Sequence, residues 1–72
     1  MPYFILNKTR QANSDHEVHN KTTGCPWMPL VENQIDLGWH LSSRDAVAHA
    51  KKQYPDWKID GCSHCCKDSH KS

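Results

Sequence analysis

The sequence predicts a small α+β domain: an antiparallel sheet of three to four strands with one helix packed on one face, in the order β-β-β-α-β. Three observations predict it. Runs of aromatic, β-branched or alternating residues at 3–8, 16–20 and 34–40 are separated by turn chemistry. One stripe of apolar residues at helical spacing follows them, Ala46, Val47, Ala50 and Tyr54. The chain has 72 residues, enough for one domain.

Residues 3–8 form the first expected strand, and the polar stretch 10–15 is a turn leading to a second strand at 16–20. Together these make an antiparallel hairpin with a loop longer than two residues. Lys21-Thr22-Thr23-Gly24 is the next turn signal. The segment Pro26-Trp27-Met28-Pro29 must be extended or irregular, because residues before proline avoid the helical region, and Trp27 is expected to fold back as a lid on the core. Over 34–40, Ile35, Leu37 and Trp39 alternate with Asp36 and Gly38, the period of a half-buried third strand.

A helix is expected over 43–54. Ser42 and Ser43 stand where an N-cap belongs, and Asp45 follows Ser42 by three residues. Arg44, His49, Lys51 and Lys52 point away from the apolar stripe, the two lysines complement the helix dipole, and Pro55 stops the helix. Trp57 and Ile59 make a short last strand, with Asp60-Gly61 as a turn after it. Residues 1–66 are then one domain and 67–72 a flexible tail. Leu6, Val18, Ile35, Leu37, Val47, Ala50 and Tyr54 are the expected core, with Trp39 and Ile59 at its margin.

Hydrophobic residues at 36% and three tryptophans suit a folded chain, but one this short leaves a thin margin of stability. Small scaffolds of this kind add disulfides, a structural metal or a partner. Nine basic against eight acidic residues give a formal charge of +1, which steers the chain toward neither nucleic acid nor an anionic membrane. After Phe4, Ile5 and Leu6 come Asn7, Lys8 and Arg10, leaving no apolar run long enough for a signal peptide or a span. A cytoplasmic setting is the expectation. There thiols stay reduced, and clustered cysteines more often bind metal or exchange electrons than form structural disulfides.

The chemical signal is the cysteine cluster. Cys62, Cys65 and Cys66 lie within five residues, His70 is close behind, and Cys25 stands far upstream. Two residues between Cys62 and Cys65 let both sulfurs hold one tetrahedral ion, and Cys65 to His70 adds a third ligand at knuckle spacing. Cys25 is the natural fourth. The expected metal site is Cys25, Cys62, Cys65 and His70 with zinc, and one of the vicinal thiols Cys65 and Cys66 is then a spectator or replaces the other. The alternative is a thiol-redox protein using Cys62-x-x-Cys65 as a dithiol, although no thioredoxin-like frame surrounds it. In a third reading the thiols are ordinary, or one of the tail cysteines pairs with Cys25 in a disulfide closing a long loop.

His16 and His19 resemble a ligand pair, but a strand places His16 with Val18 on one face and Glu17 with His19 on the other. Each is expected at the surface, with His19 the better substitute ligand. The tetrad also lacks the H-E-x-x-H spacing of metalloproteases. So short a chain leaves little room for a substrate pocket, which disfavours an enzyme. The remaining reading is a small interaction or accessory module, a monomer or weak homodimer, serving an unknown protein partner.

The order H-E-V-H at His16 to His19, G-C-P-W at Gly24 to Trp27, L-G at Leu37 and Gly38, A-V-x-x-A-K from Ala46 to Lys51, Y-P, and D-G-C-x-x-C-C from Asp60 to Cys66 resembles a family of uncharacterised bacterial proteins of about this size. The resemblance spans nearly the whole chain and implies a bacterial cytoplasmic setting. It implies no mechanism. Members of that family carry further cysteines near the positions of Arg44 and Ser69, so a six-cysteine scheme does not transfer here.

Overall fold

A computed structural model describes residues 2–9, 16–26, 28–63 and 65–66. The elements are β1 (Tyr3–Asn7), β2 (His16–Asn20), a 3-10 turn (Val31–Asn33), β3 (Gln34–Trp39), α1 (Ser43–Gln53) and β4 (Ile59–Gly61). The α+β class and the β-β-β-α-β order expected from the sequence are those observed. The 10–15 turn, the Trp27 lid and the 67–72 tail fall outside the described residues. Among those residues no helix is long and apolar enough to cross a membrane.

Strand order is β3-β1-β2-β4, with β1 antiparallel to both neighbours and β4 parallel to β2. The sheet is therefore mixed rather than purely antiparallel. The cause is the helical crossover. A strand entered through a returning helix runs parallel to the strand that fed it. Here β3 and β2 both oppose β1, so a β4 parallel to β3 is also parallel to β2. Asp60 and Gly61, expected as a turn, are thereby drawn into the ladder, opposite Glu17 and Val18.

Ser42 caps α1 with an extended backbone and a hydroxyl that accepts the Asp45 N–H at 3.4 Å. Ala46, Val47 and Ala50 face the sheet and close the core with Phe4, Leu6, Val18, Leu37, Ile59, Cys62 and Cys66. Ile35 and Tyr54, expected inside, are half-buried and flank that core. Ile59, expected at the margin, is buried. His49 does not simply point away, since its ring lies 5.1 Å from that of His40 and is half-buried. Beyond the helix C-terminus, Tyr54, Trp57 and His16 stack in series, with ring centroids 4.4 and 4.0 Å apart. The His16 Nδ1 lies 3.0 Å from the Asn7 carbonyl. His16 is thus a core residue, not the surface histidine expected.

Trp39, expected at the margin of the core, is 60% exposed. Period-two alternation puts it beside Ile35 and Leu37, but the register with β1 shifts between Phe4 and Ile5, so that Leu37 is an extra residue in a β-bulge. Gly38 makes the bulge, with φ +79° and its N–H donated to Asp36 Oδ1 at 2.8 Å. Hydrogen bonds from the Tyr3 hydroxyl and then the Gly38 N–H hold the Asp36 carboxyl below its usual range. Past the bulge the faces exchange, and Trp39 meets the Tyr3 ring edge-on at 5.0 Å. A Cβ at Gly38 meets nothing within 4 Å. Gly38→Ala should therefore cost only the left-handed backbone penalty, about 1 kcal/mol in urea unfolding.

Candidate metal centre

The pleat of β2 puts Glu17 and His19 on the face away from α1, with His19 opposite Ile5 of β1. That face is not open to water here, since Ile5 and His19 are both fully buried. This overturns the surface placement expected for His19. After β2 the chain turns sharply. The Gly24 N–H is donated to the Asn20 carbonyl at 3.1 Å and the Thr23 N–H to Asn20 Oδ1 at 3.1 Å, and Gly24 takes φ +78°, which favours a residue without a side chain. The turn carries Cys25 back toward the end of β2.

From the other side, the β4 ladder runs one bond further, with the Cys62 N–H donated to the Val18 carbonyl at 3.0 Å. The chain then turns back, with the Cys66 N–H donated to the Cys62 carbonyl at 2.8 Å. That turn brings the Cys65 sulfur over the end of β2, where it accepts the Asn20 N–H at 3.4 Å.

Four donors converge there. One ligand atom from each of His19, Cys25, Cys62 and Cys65 lies within 4.8 Å of every other. Cys25 Sγ stands 3.7 Å from Cys62 Sγ, and Cys65 Sγ stands 3.6 Å from His19 Nδ1. A disulfide requires about 2.05 Å, so the first distance is not a covalent pair. Around a tetrahedral zinc with bonds of about 2.3 Å to sulfur and about 2.0–2.1 Å to nitrogen, neighbouring ligand atoms stand roughly 3.8 Å (S to S) and roughly 3.6 Å (S to N) apart. The two measured edges match. The cluster can hold a metal ion.

The electrostatics suit a neutral imidazole at His19 and a protonated Cys65 thiol that a metal would deprotonate. Burial pushes His19 down to about 4, so its ring is neutral and its nitrogen lone pair available over the ordinary pH range. A hydrogen bond with Cys66, and then burial, push the Cys65 thiol up. A reactive redox dithiol needs the opposite shift. Cys66 Sγ lies 4.0 Å from Cys65 Sγ and is buried in the core, outside the four-donor group.

No protein-family model, curated protein or solved structure matches this chain. The site is therefore judged on its own chemistry. Of the expected ligands, Cys25, Cys62 and Cys65 come together, and His70 lies outside the described residues. His19 is the donor that the described structure places with the three thiols. Sequence reasoning put it on the correct face of β2 but had no sign that this face would be covered, because the covering segments contain few large apolar residues.

Proposed function

We propose that this chain is a small structural zinc module, in which His19, Cys25, Cys62 and Cys65 hold one Zn2+ and fasten the segment after β2 and the segment after β4 to the sheet. The observation that carries the reading is the pair of edges, 3.7 Å between two sulfurs and 3.6 Å between sulfur and imidazole nitrogen, which suit a tetrahedral zinc. Three thiolates with one imidazole are soft to borderline donors, the kind that zinc takes. Four protein ligands leave no open position for water or substrate, which favours a structural rather than a catalytic ion. Thiolate ligands must be reduced, so the reading belongs with a reducing compartment such as the cytoplasm.

An accessory role in contact with another protein accompanies this proposal. Among the exposed large apolar side chains, Trp39 ends the edge strand β3 and Leu30, Val31 and Leu41 flank it, and the formal charge of +1 disfavours nucleic acid.

Metal content measured beside thiol titre, on protein purified without chelator, tests the zinc reading. About one zinc per chain is expected, with cluster thiols shielded from alkylation until a chelator is added. Metal-free protein with four thiols reacting at once, and no uptake of added zinc, would overturn it.

A further inference from the structure

Among the described residues, His19 Nε2 is one of two buried side-chain polar atoms without a hydrogen-bond partner. The nearest ionic group recorded for it is Glu17 Oε1, at 3.8 Å. Resting on the zinc reading, we propose that Glu17 is the positioning carboxylate of the site: it accepts the Nε2–H of His19 when Nδ1 carries the metal.

The argument begins with the tautomer. Nδ1 is the nitrogen that faces the sulfurs, 3.6 Å from Cys65 Sγ. Once Nδ1 binds a cation, the one proton of a neutral imidazole must sit on Nε2, and a metal on one ring nitrogen makes the proton on the other a stronger donor. That N–H points into a site without water access, as His19 is fully buried, so the protein must supply the acceptor.

Glu17 is placed for this by the strand itself. Residues two apart on β2 share a face, and the glutamate side chain reaches forward along the strand to the ring. The 3.8 Å separation exceeds a hydrogen bond by under 1 Å, and the pairing requires the carboxylate to turn toward Nε2 by that amount. Asp60, in register with Glu17 on β4, is the other carboxylate nearby. Its Oδ1 accepts the Gly61 N–H at 2.9 Å, whereas the 3.8 Å contact with His19 Nε2 is made by Glu17.

The test compares wild type, Glu17→Gln and Glu17→Ala as full chains. All three are expected to load one zinc at saturation. Zinc transfer to excess chelator should be about 10- to 100-fold faster from Glu17→Ala than from wild type, with Glu17→Gln, which keeps an acceptor but no charge, in between. In the cobalt-substituted protein, the exchangeable Nε2–H proton of His19 should give a shifted resonance in wild type that is lost to solvent exchange in Glu17→Ala. Equal transfer rates with an unchanged resonance would overturn the role of Glu17 while leaving the zinc site intact. So would metal-free Glu17→Ala that melts well below metal-free wild type, since the effect would then be structural. Failure of wild type itself to hold zinc removes the parent reading, and the inference with it.

Discussion

Cys25→Ser should lose zinc and melt far below the wild type. Cys25 is the only thiol of the proposed site that comes from outside the C-terminal segment, and its sulfur makes one of the two edges that match a tetrahedral zinc, 3.7 Å from Cys62. It is half-buried in a turn, so the substitution leaves the central sheet untouched. Serine offers zinc a hard, weakly acidic oxygen in place of thiolate, and the site falls to three good ligands. At free zinc a thousandfold above Kd, binding contributes about 4 kcal/mol to the folded state. In a domain of this size that is roughly 15–30 °C in Tm. Calorimetry with and without chelator checks it, because the metal-free forms of wild type and variant should melt nearly together. Full zinc occupancy in the variant would show that Cys25 is not a ligand.

Several elements were legible in the sequence because local chemistry decides them. The Tyr3–Asn7 and His16–Asn20 strands, the Ser42 cap and the stop before Pro55 follow from β-branched runs, a hydroxyl at the right offset and a missing N–H. What was illegible depends on distant parts of the chain. The parallel pairing of β4 follows from which edge the helix delivers it to, and the half-turn of Trp39 follows from one left-handed glycine that breaks the period of β3.

The metal cluster divides along the same line. Spacing between Cys62 and Cys65 is local and visible, whereas the convergence of His19 needs the register of β2 against β4 and the turn at Gly24. Burial of a histidine on a strand otherwise read as half-polar is a tertiary outcome. The pairing of Ile5 with His19, an apolar partner on the face expected to be wet, is set by the register of β1 against β2 and shows only in the folded sheet.

Leu6→Ala should give the largest loss of stability that leaves the metal chemistry alone. Leu6 is fully buried on a central strand, paired with Val18 on one side and Ile35 on the other, and no part of it belongs to the four-donor group. Truncation removes three carbons from a packed interior and leaves a cavity that two hydrogen-bonded neighbours prevent from collapsing, at a cost of about 2–5 kcal/mol. A 72-residue domain has roughly 4–11 kcal/mol in total, so this is a large share of it. Urea unfolding at saturating zinc should show the lower midpoint, while zinc per folded chain in the cold stays near one. The contrast with Cys25→Ser is the informative result: one variant keeps metal and loses core, the other keeps core and loses metal. If Leu6→Ala shed its zinc under conditions where the chain remains folded, the site would depend on the sheet's packing and not only on its four ligands. If the unfolding free energy fell by less than about 1 kcal/mol, Leu6 would not occupy the closed interior described for it.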